Sequence, residues 1–235
     1  MTDEWAKATQ EVAKASGKAV DAGRGLGSFI GEFIRQPLTE QAGIWTDNLR
    51  YRRWSNQMAL KRKAEAKLAE LGYDVPLSDP PMSVLVPLLE AASLAEDEGL
   101  QERWVNLLLN FSNAASGVKV QRPFVSVLAE LEPLDAHALQ VIYSVDQARE
   151  GGKAIRTAKL PMAVTFEPIP DGTKHPTSHP EPSDEVMVAL GNLARLGLIG
   201  SASAWGGVGA LSVVDQTPFG REFVRACTLQ KAVAS

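Results

Sequence analysis

The pattern of apolar and polar positions along the chain predicts a mainly helical protein. Residues 4–34 have the period of one helix, and Pro37 lies just beyond its end. A second long helix is predicted from Ile44 to Leu71, because aromatic and aliphatic side chains recur there at helical spacing and Gly72 follows as a stop. The chain is therefore predicted to begin with two long helices.

Shorter helices are predicted in the middle of the chain. The apolar segment Met82–Ala92 is one, and Pro123–Leu131 is another. Between them, Ser93 stands three residues before Glu96, which is the spacing of a capping box and predicts a helix over residues 94–111. The buried face of that helix is predicted to be Leu100, Trp104, Leu107, Leu108 and Phe111.

The order of elements changes after residue 131. The pattern predicts a short helix over Asp135–Tyr143 and a helix or turn over 145–160, whereas the prolines of 168–182 predict a loop. The later elements are predicted to be a helix at Asp184–Leu196, strands at 198–202 and 211–214, and a last helix that begins at Thr217 and Pro218. A helix followed by a two-stranded wing is the order of a winged-helix unit.

The predicted fold class is mainly α, with an N-terminal multi-helical region followed by a small winged-helix-like α+β unit. The predicted domains are an N-terminal helix at 1–36, a helical domain at 37–130 and a winged-helix-like domain at 131–235. With 235 residues, 45% of them hydrophobic, the chain is long enough to form a substantial core.

A row of glycines lies within the first predicted helix. Gly23, Gly27 and Gly31 recur every four residues and therefore line one face of that helix. Each glycine costs about 0.5–1 kcal/mol relative to alanine, so a compensating close approach of another backbone is expected. The packing partner is a helix of the same chain or a second copy in a homo-oligomer, or else residues 15–36 form an interfacial helix on a membrane surface.

Charge and composition limit the cellular setting. The net charge is −4 and the sequence pI about 5.5, which gives no general attraction to nucleic acid. The N-terminus has no apolar signal region, and the uncharged run between Arg24 and Glu32 is far shorter than the ~20 residues of a transmembrane helix. The lone cysteine, Cys227, fits a reducing compartment. The expected location is the cytoplasm, where an interfacial helix would contact the inner face of the cell membrane.

A strongly basic segment precedes a strongly acidic one in the chain. Residues 50–67 carry mostly cations, and residues 68–110 carry mostly acids. One hypothesis is phosphate binding, because Tyr51 and Trp54 interleave with the cations in a way that suits nucleic acid or lipid headgroups. The candidate phosphate-binding residues are Arg50, Arg52, Arg53, Lys61, Arg62 and Lys63. The other interpretation is that the two charged faces are solvated and attract each other, within the chain or between subunits.

Few residues suggest a reaction. The candidate metal ligands are Glu96, Asp97, Glu98 and Glu102. Neighbouring residues on a helix point in different directions, so solvated acids are the simpler interpretation. His175 and His179 form a weak zinc pattern, and Cys227 is expected to pack rather than to act as a nucleophile. Because the chain has no nucleophile-elbow, P-loop, dinucleotide or zinc-protease motif, we expect no enzyme, no metal and no cofactor.

The winged-helix-like unit supplies a second nucleic-acid hypothesis. In such units the helix before the wing usually enters the major groove. The outward positions of that helix are predicted to be Glu185, Met187, Ala189, Asn192 and Arg195. Only Asn192 and Arg195 suit contacts with bases or phosphates, whereas Asp184 and Glu185 would repel phosphate. A role in packing or in binding a protein partner is the alternative.

Several segments of the chain carry a resemblance to a known family. They are LTEQAGIWTDNLRYRRWSNQ (Leu38–Gln57), VPLLEAASLAEDEGLQERWVNLLLN (Val86–Asn110), LEPLDAHALQVIY (Leu131–Tyr143), LGNLARLGLI (Leu190–Ile199) and TPFGREFVRAC (Thr217–Cys227). Together they resemble the abortive-infection alpha (Abi-alpha) family of bacteria and phages, over residues 38–227. The resemblance implies a setting in which an infected cell halts growth or dies before phage is released. It implies no catalytic residues.

Two functional hypotheses follow from these observations. The first is a non-enzymatic phage-defence protein that acts through oligomerisation or membrane perturbation, with the glycine row as its contact. The alternative is a nucleic-acid-binding regulator that uses the basic helix at 50–67 and the winged-helix-like unit. Binding that weakens steeply with salt would distinguish the second from the first.

Overall fold

The computed structural model describes residues 47–71, 80–151, 153–166, 180–202 and 210–230. Its helices are α1 (Asp47–Leu71), α2 (Met82–Ala92), α3 (Glu98–Ser112), α4 (Arg122–Ala129), α5 (Pro133–Tyr143), α6 (Asp184–Arg195) and α7 (Pro218–Ala226), with a short 3-10 turn at Ala114–Ser116. Its strands are β1 (Ile155–Arg156), β2 (Thr165–Phe166), β3 (Ile199–Ala202) and β4 (Ala210–Gln216). The predicted fold class, mainly α with a small α+β unit late in the chain, is confirmed.

The strands form one antiparallel sheet in the order β2-β1-β4-β3. Val214 of β4 is at its centre, where it lies opposite Ile155 of β1 on one side and Ser201 of β3 on the other. Val214 and Ile155 are both fully buried, which is why this face of the sheet packs on the helices. The sheet thus joins the late helices to the rest of the core.

Helix α3 is the centre of the protein. Every residue from Trp104 to Ser112 is buried, and Val105, Leu107 and Leu108 have no exposed surface. Helices α1, α2, α5 and α7 all contact α3. One hydrophobic cluster runs from Leu60 to Cys227, so elements on both sides of residue 130 share a core. The division into domains at 130 and 131 stays a prediction.

The predicted start of α3 was wrong. The helix begins at Glu98, and its N-cap is Asp97, whose carboxylate accepts a bond from the Leu100 N–H at 2.8 Å. Ser93 is instead the C-cap residue of α2, fully buried, and its hydroxyl donates to the Glu90 carbonyl at 2.6 Å. Ser93 and Asp97 are both residue types that suit an N-cap. Because Ser93 caps the end of α2, Asp97 is the residue that caps the start of α3.

Other local predictions fare differently. The helix-or-turn interpretation of 145–160 missed β1, because a strand of two residues has too short a pattern to be recognised. Strand β2, which also has only two residues, was missed for the same reason. Thr217 caps α7 as predicted, since its hydroxyl accepts from the Gly220 N–H at 2.8 Å.

Some predictions fall outside the described residues. These are the helix at 4–34 with Gly23, Gly27 and Gly31, the interfacial segment 15–36, most of the proline-rich loop with His175 and His179, and the turn between β3 and β4. Within the described part of the chain, none of the helices combines the length and the apolar character that crossing a bilayer requires.

Candidate functional site

The basic helix α1 lies against the acidic start of α3. Lys67 Nζ is 2.7 Å from Glu102 Oε1, and Lys63 Nζ is 3.6 Å from Glu98 Oε1. At the other end, Arg52 Nη1 is 3.5 Å from Glu96 Oε1. The attraction between the basic and acidic segments therefore occurs within the chain. We call this line of contacts, together with the hydrogen bonds beside it, the α1 seam.

Hydrogen bonds to uncharged acceptors extend the α1 seam along the helix. Asn56 Nδ2 donates to the Ser93 carbonyl at 3.0 Å, and Arg53 Nε donates to the Ser93 hydroxyl at 3.3 Å. Further along, Lys63 Nζ donates to Gln101 Oε1 at 3.0 Å. The side chains that reach across are long and polar, so the seam is specific in register and only partly shielded from water.

Lys67 makes the tightest contact of the α1 seam. Its side chain is 18% exposed, and its amine also donates to Asn106 Oδ1 at 2.9 Å. The bond from Lys67 holds the pKa of the Glu102 carboxyl below its ordinary value of 4.5. Glu102 therefore stays ionised, and the end of α1 stays paired, at neutral pH.

The structure distributes the candidate phosphate-binding residues over different faces of α1. Arg52, Arg53 and Lys63 take part in the α1 seam. Lys61 is largely buried and lies 3.8 Å from Glu65 of the same helix, whereas Arg62 is exposed on the outer side. Arg50 belongs to the first turn of α1. Among the five whose side chains the structure describes, no continuous cationic surface forms.

The candidate metal ligands each have a structural role. Glu96, Glu98 and Glu102 pair with cations of α1, and Asp97 caps α3. In the ranges that the structure describes, no group of three His, Cys, Asp or Glu side chains is placed to hold a metal ion. The acids attract α1 rather than converge on a point.

The two candidate DNA-contacting residues of α6 are bonded to the turn after α4 and to the first turn of α5. Asn192 Nδ2 donates to Asp135 Oδ2 at 2.7 Å and to the Glu130 carbonyl at 3.0 Å. Arg195 Nη2 donates to Glu130 Oε2 at 2.6 Å. Ala189 was wrongly predicted to face outward: it is 3% exposed and packs inward. These bonds orient α6 on the helical core.

Two buried asparagines that the sequence analysis missed hold the end of α7. Asn110 is 1% exposed, and its Nδ2 donates to the carbonyls of Ala226 at 2.8 Å and Thr228 at 2.7 Å. Asn106 Nδ2 donates to the Cys227 carbonyl at 3.0 Å. The last carbonyls of a helix have no partner within the helix, so these amides replace the missing bonds. Their i, i+4 spacing within an otherwise apolar face of α3 was the available signal.

The start of α7 is fixed as closely as its end. The Tyr143 hydroxyl donates to the Leu198 carbonyl at 2.6 Å and accepts from the Thr217 N–H at 3.1 Å. Burial raises the pKa of Tyr143. A Cβ at Gly220 would collide with both the Tyr143 hydroxyl and the Leu198 carbonyl, so this position requires glycine. We call the contacts of α7 with α3 and α5 the α7 seam.

A cleft of about 400 Å³ lies between α3, α5 and α7. Arg103 reaches across it and donates to the carbonyls of Gly99 at 3.1 Å and Ala136 at 3.0 Å, and to Gln140 Oε1 at 2.9 Å. Cys227 also lines the cleft, but burial raises its pKa to about 12. The thiolate is therefore scarce at neutral pH, so the thiol suits packing rather than nucleophilic attack.

Comparison with known proteins gives one match. The model of the family described as "Abortive infection alpha" matches residues 55–227, from the first half of α1 to the residue that follows α7. No curated protein matches the chain, and no solved structure does. The matched region contains most of both seams and of the cleft; Arg52 and Arg53 of the α1 seam and Thr228 at the end of the α7 seam lie outside it.

Proposed function

Because the chain belongs to the abortive infection alpha family, we propose that it acts in phage defence by abortive infection, without catalysing a reaction. The observation that carries this proposal is the family match over residues 55–227. We propose further that the protein acts in the cytoplasm, through self-association as a homo-oligomer or by perturbing the inner face of the cell membrane.

The glycine row is the proposed contact for either action. Gly23, Gly27 and Gly31 would permit the close backbone approach that offsets the intrinsic cost of glycine in a helix. Asp21, Arg24, Glu32 and Arg35 stand around the row, so residues 15–36 would lie on a membrane surface rather than span it.

The described chemistry agrees with a non-enzymatic role. The Cys227 thiol is held protonated, and the Tyr143 hydroxyl is committed to backbone groups. The acids that once suggested a metal site pair with α1 or cap α3. Each of these groups supports the fold, which is why we assign no catalytic residue and no cofactor.

The glycine row is tested by placing a bulky residue on it. Gly27→Leu should reduce both protection against phage in a plaque assay and the oligomeric state measured by light scattering. Gly25→Leu is the matched control, because residue 25 lies two positions away and so on a different face of the predicted helix.

The proposed role of the row requires that Gly27→Leu change protection, assembly or both. If Gly27→Leu leaves both unchanged, the proposed role of the row is wrong. Fractionation of cells that express the chain with and without residues 1–36 separates the two modes: recovery with membranes only when 1–36 is present supports the membrane mode, and recovery in the soluble fraction in both cases supports self-association.

A nucleic-acid-binding regulator is the second candidate. The observation that favours it is the topology of the small unit. The two strands that follow α6, β3 and β4, pair as a hairpin, as expected of a wing, and β1 pairs with the other side of β4. The bonds of Asn192 and Arg195 to the α4–α5 turn speak against base readout by α6. Fluorescence anisotropy at low and moderate salt decides: the regulator requires binding that falls steeply with salt, and no binding at low salt excludes it.

A further inference from the structure

We infer that α1 is an exchangeable helix, which docks either on its own chain or on the same acidic surface of a second copy. The acidic surface is formed by Glu96, Glu98 and Glu102, with Ser93 and Gln101 beside them. This inference rests on the self-association arm of the proposed function and supplies a surface for it. The partner is a second copy of this chain.

The separation of charge selects that partner. The cations of the α1 seam all come from α1, and the carboxylates all come from the segment that begins at Glu96. Two α1 helices would repel each other, and so would two acidic surfaces. A chain whose acidic surface is uncovered therefore recruits α1 of another copy, and the contacts made between copies are the same as those made within one.

Helix α1 buries few apolar side chains, so its release from the rest of its own chain is feasible. Among its described side chains, only Leu60 and Ala64 are apolar and nearly fully buried, each 3% exposed. The ion pairs Arg52–Glu96 and Lys63–Glu98 have at least one partner whose side chain is 68% exposed or more. Exposed pairs of this kind contribute only about 0–1 kcal/mol each. Lys67 is the more strongly held exception.

The connection between α1 and α2 is long enough to redirect the helix. Residues 72–81 separate the two helices, and ten residues can span at most about 33 Å. Helix α1 has 25 residues and is therefore about 37 Å long. Exchange of an element between identical chains keeps every native contact, so its cost is the entropy of association, which falls as the protein becomes more concentrated.

Complementary charge reversal tests the exchange. One chain carries Arg52→Glu and Lys63→Glu, and a second carries Glu96→Lys and Glu98→Lys. Each chain alone repels its own α1, but in a mixed dimer both α1 helices meet a surface of opposite charge. The two chains are mixed in equal amounts, warmed and cooled to allow exchange, and analysed by native mass spectrometry.

We expect heterodimers to exceed homodimers by at least about threefold in that mixture, because each restored pair shifts the equilibrium a few-fold. Folding is checked with a chain that carries all four substitutions, which should regain wild-type stability and circular dichroism. The matched control mixes Arg62→Glu with Glu185→Lys, two exposed charges outside the α1 seam, and should give no heterodimer preference.

The remaining outcomes contradict the exchange in different ways. If dimers form without regard to these charges, the exchange is wrong and self-association through another surface, such as the glycine row, still stands. If every mixture remains monomeric after warming, the exchange is wrong as well. The Gly27 variants then judge the proposed function independently, because their readout includes protection against phage.

Discussion

Helices α7 and α1 both pack against α3, but different kinds of contact hold them there. Helix α7 buries Phe223 and Ala226 on it, and the Asn106 and Asn110 amides bond to its terminal carbonyls out of contact with water. Helix α1 buries mainly Leu60 and Ala64, and its polar contacts are ion pairs with at least one exposed partner together with partly buried hydrogen bonds to Ser93, Gln101 and Asn106. The polar contacts of the α7 seam are therefore shielded from water, whereas those of the α1 seam are only partly shielded.

This difference in exposure to water indicates which helix is held firmly on the core and which can separate from it. Breaking a buried amide–carbonyl bond leaves both groups without water, so the whole desolvation penalty appears in the free energy of unfolding. An exposed ion pair that separates is hydrated at once, so little is lost. We therefore expect α7 to unfold only with the core, whereas α1 detaches at a lower cost.

The largest effect is expected at the start of the α7 seam. Gly220→Ala should lower the free energy of unfolding by about 3 kcal/mol, because the new methyl group overlaps the Tyr143 hydroxyl and the Leu198 carbonyl. Urea unfolding measures the change. Gly191→Ala is the control: its Cβ meets open space on α6, so it should stabilise by about 0.5–1 kcal/mol. Equal effects at both positions would contradict the close approach at Gly220.

The next largest effect is expected at the end of the α7 seam. Asn110→Ala should cost about 2 kcal/mol, because it leaves the Ala226 and Thr228 carbonyls without their donor. Cys227 reports the loosening: its pKa of about 12 makes alkylation slow in the native chain, and the variant should be alkylated faster. An unchanged alkylation rate would show that Asn110 does not hold this end.

The α1 seam should respond less. Lys67→Ala is expected to cost about 1 kcal/mol in urea unfolding, because the lost bonds to Glu102 and Asn106 are only partly shielded from water. Arg62→Ala, which removes an exposed cation of the same helix, should change stability by less than about 0.5 kcal/mol. A cost at Lys67 as large as that at Asn110 would abolish the contrast between the seams.

The smallest effect is the pH dependence of the α1 seam. Because the pKa of Glu102 is lowered in the folded chain, its stabilisation is fully present above the unfolded value of about 4.5 and is lost as the pH falls through the lowered pKa. The destabilisation caused by Lys67→Ala should therefore be smaller at about pH 3 than at pH 7. An equal destabilisation at both pH values would show that the Lys67–Glu102 pair contributes nothing.

Local patterns predicted much of the fold. The helical stripe of α3, the Thr217 cap of α7 and the hairpin of β3 and β4 were all recognisable because each depends on neighbours within a few residues. The opposite charges of the two early segments also predicted that they would attract. The cap of α3 was misassigned because Ser93 and Asp97 both suit the role, and only the end of α2 decides between them.

The sequence by itself determined the helices, the separation of charge and the family, since periodicity, composition and motif order are properties of the chain alone. Only the tertiary structure decided that Asn110 meets carbonyls more than a hundred positions away, that Gly220 must make room for Tyr143, and that Lys67 reaches Glu102. The physical reason is that a hydrogen-bonding group in the chain has many possible partners. Packing around α3 brings one of them within bonding distance and shields some of these pairs, but not others, from water.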